Sequence, residues 1–212
     1  MTDEEQGNDE DLLIERDEYL ANGVHIGTKS QHKDMEDYIF HVKKNKLAVL
    51  NVEKTDQQIR KIAKLLTEYE PEDVLVVGRK EEALIPVTEF AETNNFERIA
   101  GRFMPGTLTN TQSENFTEPE IIFTINPTLD KQAIQEAKDS NIPVISLVDS
   151  GNRLDKIEHP IPANNKATNS IATVLYLISK QIAKAQDEEL ERELEDFKPE
   201  TEENEDEENT GE

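Results

Sequence analysis

Residues 101–110 are the stretch whose side-chain types and spacing come closest to a binding site. Pro105 and Gly106 predict a tight turn, because proline holds φ at about −65° and glycine accepts positive φ. The residues around this turn that supply hydrogen-bond donors are Arg102, Thr107, Thr109 and Asn110. Open α/β sheets present ligand-contacting groups on loops that follow a strand in this way. From composition alone, the favoured interpretation is a capped loop that packs against its own domain.

Positive charge is concentrated at Lys43-Lys44-Asn45-Lys46, between two β-prone stretches at residues 38–42 and 47–51. The pattern predicts a hairpin with three lysines at its tip, and His41 stands beside them. Such a tip suits contact with an anionic partner. The alternative is a solvated turn whose lysines only aid solubility.

Other polar, weakly basic loops are predicted at Gly27-Thr28-Lys29, Arg79-Lys80 and Asn164-Asn165-Lys166. Lysine, arginine, threonine, asparagine and exposed backbone N–H groups are the donors that contact phosphates. The sequence shows no aromatic platform on which single-stranded bases would stack. The nucleic-acid partner that it favours is therefore structured RNA, read through its backbone and shape.

No catalytic set emerges from the sequence. The glycine-rich nucleotide motifs and the Gly-x-Ser-x-Gly nucleophile elbow are missing, and the four histidines lack metal-ligand spacing. Because the chain has no cysteine, disulfides, thiolate zinc sites and cysteine nucleophiles are excluded. We therefore expect a protein that is not an enzyme and that has no metal, no cofactor and no small-molecule substrate.

The formal net charge of −24 lies almost entirely in the two ends of the chain. Residues 1–18 hold nine acidic residues against one arginine, and residues 187–212 hold fifteen against two basic residues. Residues 19–186 hold 23 acidic and 20 basic residues, so the body is nearly neutral. The acidic ends are expected to be solvated and disordered. The N-terminus is unlike a signal peptide and no run of about eighteen apolar residues is present, which favours a soluble, cytosolic protein without membrane contact.

Strands and helices alternate through the body. Buried-strand patterns cover residues 73–78, 98–100, 120–125 and 142–148. Apolar residues at helical spacing cover residues 11–22, 59–69, 87–91, 130–140 and 167–185. The alternation predicts right-handed βαβ units and a three-layer α/β domain with a largely parallel sheet, to which an N-terminal helix and the basic hairpin are added.

Three element boundaries depend on local signals. Thr55 with Gln58 forms a capping-box pattern and predicts the start of a helix. Pro86 predicts either the first residue of the next helix or a kink inside it. An acidic helix is expected to continue beyond Asp187 to Phe197. The resulting organisation is an acidic tail over residues 1–10, a single α/β domain over 11–186, and an acidic C-terminal helix and tail over 187–212.

The motifs together resemble the small-subunit ribosomal protein S-two family, in its archaeal and eukaryotic branch. The matching pieces, in family order, are Ala21-Asn22-Gly23-Val24-His25-Ile26-Gly27-Thr28-Lys29, Met35-Glu36-x-Tyr38-Ile39, Gly101-Arg102-Phe103-x-Pro105-Gly106-Thr107-x-Thr109-Asn110, Phe116-x-Glu118-Pro119, Ile142-Pro143, Ile161-Pro162-x-Asn164-Asn165-Lys166 and Ser170-Ile171. They span residues 12–185, and the motifs over 102–110 and 161–166 are the specific ones.

The resemblance implies a flavodoxin-like sheet that binds small-subunit rRNA and neighbouring ribosomal proteins on the ribosome in the cytoplasm. The implied role is structural and supports translation without catalysis. Loop chemistry and family motif together nominate the residues for contact with rRNA or a protein partner: Lys29, Lys43, Lys44, Lys46, Arg102, Thr107, Asn110 and Lys166.

Two rival functions remain open. One is a flavodoxin-like protein that binds a nucleotide or phosphate, which bound flavin or nucleotide in purified material would support. The other is a protein–protein adaptor that works through its acidic tails, and tail deletion would then abolish partner binding.

Overall fold

A five-stranded parallel sheet forms the centre of the fold in the computed structural model, which describes residues 12–199. Its strands, in spatial order, are β4 (Glu97–Ala100), β3 (Val74–Gly78), β5 (Ile121–Thr124), β6 (Val144–Val148) and β7 (His159–Pro162). All four neighbouring pairs are parallel. Numbered along the chain within this sheet, the order is 2-1-3-4-5, which is the flavodoxin-like order. The predicted fold class is thus confirmed.

Helices and loops cover both faces of the sheet. The helices are α1 (Arg16–Ala21), α2 (Val52–Leu66), α3 (Glu81–Asn94), α4 (Lys131–Asp139) and α5 (Thr168–Ala185). One hydrophobic core joins α2, α3 and α5 to one face of the sheet, and α5 is buried along much of its length. A second core joins α4 and the loop after β4 to the other face.

The basic hairpin is also confirmed, as β1 (Ile39–Val42) paired antiparallel with β2 (Ala48–Leu50). The free edge of β2 is taken by the segment after α1, where Leu50 N–H donates to the carbonyl of His25 and Gly27 N–H donates to that of Ala48. This segment therefore fixes the hairpin against the rest of the domain.

Strand β7 is a fifth strand of the sheet, beyond the four strands that the sequence pattern predicts. Pro160 and Pro162 lie within it. Proline cannot donate to a β-ladder, so it is confined to edge strands and strand ends. Strand β7 is an edge strand of the sheet and accommodates both.

The structure decides where two of the helices begin. The cap of α2 is Asn51, whose side-chain oxygen accepts from the N–H groups of Glu53 and Lys54, so the predicted cap at Thr55 is wrong. Thr55 lies inside the helix, and its hydroxyl donates to the carbonyl of Pro162. Helix α3 continues through Pro86 rather than beginning there.

The predicted acidic helix beyond Asp187 is wrong within the described residues. Helix α5 ends at Ala185, and Asp187 has a positive φ of 56°, which an α-helix cannot contain. The chain then forms only a 3₁₀ turn over Leu194–Phe197, where Phe197 is buried against the ring of Tyr176. The predicted tails at residues 1–10 and 200–212 lie outside the described residues.

No helix within residues 12–199 is both long enough and apolar enough to span a membrane.

The buried carboxylate of Asp56 fastens the N-terminal segment to α2. Its oxygens accept from Leu13 N–H and from the Tyr19 hydroxyl, and they pair with Arg60 at 2.7 Å. Burial and the neighbouring Asp56 raise the pKa of Tyr19, so its phenol stays protonated and donates.

We expect Tyr19→Phe to lower the free energy of unfolding by about 1 kcal/mol, because one buried hydrogen bond is lost while Asp56 keeps its other partners. Urea unfolding followed by circular dichroism measures the change. Tyr69→Phe, at a half-buried tyrosine, is the matched control. Equal effects at the two positions would contradict the role given to the Tyr19 hydroxyl.

Candidate nucleic-acid interface

The carboxyl ends of the parallel strands meet at one edge of the sheet, where a cleft of about 430 Å³ opens. The cleft is lined by Thr28, Lys29, Ser30, Lys80, Asn126, Thr128, Leu129, Asp149, Gly151, Asn152 and Lys166. Two predicted contact residues, Lys29 and Lys166, are therefore brought together here, although 137 positions of sequence separate them.

The charges of this cleft are partly paired with one another. Lys166 Nζ lies 3.2 Å from the carboxylate of the buried Asp149. Lys80 Nζ donates to the carbonyl of Lys166 and also pairs with Glu82 at 2.8 Å. Lys29 is exposed at the rim and forms no ion pair with any other residue between 12 and 199. An incoming anion would meet Lys29 first.

Asp130 occupies the point between β3 and β5 where the strand order of the sheet reverses. Its carboxylate is 3% exposed and accepts from Arg79 N–H at 3.2 Å and Asn126 N–H at 2.9 Å. Burial raises its pKa to about 6, although these hydrogen bonds act in the opposite direction. In sheets of this order, the same loops bind the phosphate of a nucleotide. In this chain, the carboxylate of Asp130 accepts hydrogen bonds from the backbone N–H groups of these loops.

The loop of Gly27, Thr28 and Lys29 is held against the end of β6 by Ser150. The Ser150 hydroxyl accepts from Thr28 N–H at 2.8 Å and donates to the carbonyl of Ser30, while its own carbonyl accepts from His32 N–H. A Cβ at Gly27 would lie 2.9 Å from Ser150 Oγ and 3.0 Å from the carbonyl oxygen of Ala48. Glycine is needed here because the backbone approaches two neighbours closely.

We expect Gly27→Ala to lower the free energy of unfolding by roughly 1–3 kcal/mol, the usual cost of forcing an extra methyl group into a packed site. The Ala48 carbonyl belongs to the hairpin backbone, so the strain cannot be relieved by turning one side chain. Thermal or urea unfolding measures the loss. A variant as stable as the wild-type chain would show that the contact between these segments is loose.

The lysine tip, Lys43–Lys46, is a tight turn with its three lysine side chains exposed. Lys43 N–H donates to the carbonyl of Leu47, Lys46 N–H donates to that of Lys43, and Lys46 adopts a φ of 67°. The side chain of Asn45 accepts from Leu47 N–H. None of the three lysines is ion-paired within the part of the chain that the structure describes. Burial, together with the positive charge of Lys43, lowers the pKa of His25 at the base of the hairpin.

The predicted turn at Pro105 and Gly106 is present. Gly106 has a φ of 91°, and Thr107 N–H donates to the carbonyl of Met104. Thr107 is only 1% exposed, and its hydroxyl also donates to the Met104 carbonyl, so it shapes the loop from inside. Phe103 and Leu108 on either side of the turn are buried in the second core. The loop thus packs against its own domain, as composition favoured, while Arg102, Thr109 and Asn110 remain exposed.

A carboxylate that sequence reasoning missed holds this loop. Glu136, on α4 and 4% exposed, accepts from the N–H groups of Gly106 and Leu108 at 2.8 and 3.1 Å. It also accepts from the Thr109 hydroxyl and the Gln132 amide. Burial acts to raise the pKa of Glu136, but these hydrogen bonds outweigh it and the pKa lies below its usual value. A glutamate inside an amphipathic helix pattern carries no sequence signal for such a role.

Seven of the eight predicted contact residues therefore fall into three groups, and the eighth, Thr107, is buried inside the loop after β4. Lys29 and Lys166 share the cleft, the three tip lysines stand on the hairpin, and Arg102 and Asn110 lie on the loop after β4. The Thr28 carbonyl accepts from Ala48 N–H, which connects the cleft to the tip-proximal end of the hairpin. Within residues 12–199 no group of histidine, aspartate and glutamate side chains is arranged to hold a metal ion.

Comparison with known proteins gives a consistent result. The sequence model of the family described as ribosomal protein S2 matches residues 19–117 and 113–185. The chain is similar to the small ribosomal subunit protein uS2 of Methanococcus maripaludis, with 43% identity over 177 residues that cover 84% of this chain and 80% of the relative. It is also similar to the proteins of the same name from Picrophilus torridus and Thermoplasma acidophilum, each with 40% identity over 176 residues that cover 83% of this chain and 88% of the relative.

Proposed function

This chain belongs to the ribosomal protein S2 family, and on that premise we propose that it is a structural constituent of the small subunit of an archaeal-type ribosome. In this role it binds small-subunit rRNA and neighbouring ribosomal proteins in the cytoplasm and supports translation. It carries out no catalysis and needs no cofactor.

The observation that supports rRNA binding most strongly is the lysine tip. Three exposed lysines without ion-pair partners in the described residues stand on a turn whose backbone is hydrogen-bonded on both sides. Phosphate contacts of this type supply affinity and position a protein on RNA without reading sequence. Backbone hydrogen bonds tie β2 to the segment that leads into Lys29, and so connect the hairpin that carries the tip to the cleft.

The loop after β4 adds a second point of contact. Arg102 and Asn110 are exposed there, while Glu136 fixes the loop from beneath through its two backbone hydrogen bonds. A preorganised loop loses little conformational entropy on binding. Thr107 contributes by holding the turn, since its hydroxyl is already bonded inside the loop.

The rival nucleotide-binding function is less well supported by the geometry. Asp130 takes up the backbone N–H groups at the switch point of the sheet, and its negative charge would repel a phosphate. In the cleft, Lys166 is already paired with Asp149.

Sucrose-gradient sedimentation of a native lysate, blotted for this chain, tests the proposal. We expect co-migration with the small subunit and release after RNase treatment. A variant that lacks residues 2–10 and 200–212 should still co-migrate, whereas an adaptor that works through its acidic tails would lose its partner. Protein that stays at the top of the gradient while subunits remain intact would overturn the proposal.

A further inference from the structure

Phe40 is the most exposed of the large apolar side chains in the described residues, with 57% of its surface accessible. It lies in β1, three residues before the lysine tip, so at about 3.3 Å per residue it is roughly 10 Å from Lys43 along the strand. A single exposed apolar residue is common on protein surfaces and needs no explanation by itself. What distinguishes Phe40 is its backbone geometry and the charge around it.

Phe40 lies at an irregularity in the pairing of the hairpin. Ile39 pairs with Leu50 and His41 pairs with Val49, so β1 has one residue more than β2 at this point and Phe40 has no partner across the ladder. Such β-bulges re-aim a side chain and often lie next to functional sites. Residues 40–42 are all exposed, so the bulge lies on a part of the strand that is open to solvent.

The chain that follows Phe40 is cationic, whereas the turn before β1 carries Asp34, Glu36 and Asp37. From Phe40 to Lys46 the chain contains His41 and three lysines but no acidic residue. The His41 ring contacts the Phe40 ring edge to face, with centroids 5.4 Å apart and planes inclined at 78°. This contact restrains the Phe40 ring while most of it remains open to solvent. An apolar protein surface placed against Phe40 would also cover the tip lysines, which have no ion-pair partner in the described residues. RNA supplies a base to contact the ring and phosphates to contact the lysines.

We infer that Phe40 is a stacking platform for an unpaired RNA base, beside phosphates held by the lysine tip. The inference rests on the proposed rRNA-binding function and adds a recognition mode to it, because stacking requires a single-stranded or bulged nucleotide. It departs from the sequence-based expectation that the chain has no such platform. Every base has a π-face, so the contact selects unpaired RNA without selecting a base.

Removal of the ring should weaken binding without changing its electrostatics. We expect Phe40→Ala to lower the affinity for the small subunit by about 5- to 150-fold, the usual range for loss of one base–aromatic stack. The slope of affinity against salt should stay at its wild-type value, since no phosphate contact is removed. Val42→Ala, two residues away and 45% exposed, is the matched control and should have little effect.

A spectroscopic test uses the fact that this chain contains no tryptophan. Phe40→Trp introduces a single tryptophan at the platform, and Ile85→Trp introduces one at an exposed site on α3 as the control. We expect single-stranded oligoadenylate to quench the tryptophan fluorescence of the purified full-length Phe40→Trp variant, with much less quenching by an RNA duplex of the same length. The tryptophan of the control variant should respond to neither RNA.

The outcomes separate this inference from the proposed function. If the wild-type chain co-migrates with the small subunit but Phe40→Ala binds equally well and Phe40→Trp is not quenched, stacking is overturned and the ribosomal role stands. If Phe40→Ala weakens subunit association while single-stranded RNA leaves the fluorescence of Phe40→Trp unchanged, Phe40 contacts a protein and stacking is again overturned. Failure of the wild-type chain to co-migrate would instead count against the proposed function.

Discussion

Replacement of Lys43, Lys44 and Lys46 together with glutamine is expected to weaken association with the small subunit and to flatten its salt dependence. Each phosphate contact releases condensed counterions, so log K changes with log [salt] by about 0.7–0.9 per contact. Loss of three contacts should therefore reduce the slope by up to about 2–3. The three side chains are exposed and the turn is held by backbone bonds and Asn45, so the substitutions should leave the fold intact. Sedimentation at several salt concentrations and constant magnesium measures the slope.

The matched control for this variant is the replacement of Lys61, Lys64 and Lys184 with glutamine. These lysines are exposed on α2 and α5, and their replacement changes the net charge by the same amount. A general effect of net charge would flatten the slope in both variants alike. An unchanged slope in the hairpin variant would remove the lysine tip from the interface.

Replacement of Glu136 with glutamine is expected to lower the free energy of unfolding by about 2–3 kcal/mol, because a buried donor is left without an acceptor. The amide nitrogen of the new side chain would face a backbone N–H of Gly106 or Leu108. Because Phe103 and Leu108 of the same loop are buried in the second core, release of the loop also loosens packing against α4. Urea unfolding measures the loss, and hydrogen exchange locates it in the loop.

The pH dependence of this effect follows from the pKa of Glu136, which in the folded chain lies below its ordinary value of 4.5. The ionised carboxylate therefore contributes stability at neutral pH, and that contribution is lost as the pH falls through the folded-state pKa. The difference between wild type and Glu136→Gln should accordingly narrow in acid. Glu68→Gln, at an exposed position after α2, is the control and should change stability little at any pH. If the Glu136→Gln variant were as stable as the wild-type chain at neutral pH, the loop would not depend on the Glu136 carboxylate for its conformation.

These two predictions concern two different groups of the predicted contact residues. The tip lysines would supply affinity through charge, whereas Glu136 would supply the fixed geometry that lets Arg102 and Asn110 meet a partner. A variant at Glu136 should therefore weaken subunit association without changing the contribution of the hairpin to the salt slope.

The sequence by itself determined the fold class and most of the elements, but not strand β7 or the end of α5. Near-continuous apolar runs such as residues 74–77 indicate strands buried on both faces, and such strands alternating with helices require a parallel sheet. The turn at Pro105 and Gly106 and the lysine hairpin were also predictable, because their φ requirements and charge are local properties of a few adjacent residues. Family motifs then placed these loops in the right class of protein.

Contacts between distant residues were decided only by the tertiary structure. The Thr55 hydroxyl donates to the carbonyl of Pro162, far along the chain. Glu136 and Asp130 hold loops whose backbone N–H groups reach them only after the sheet and helices have packed. The register of β1 against β2 leaves Phe40 without a partner across the ladder. Local propensity cannot predict these contacts, because each one depends on which distant groups the folded chain brings together.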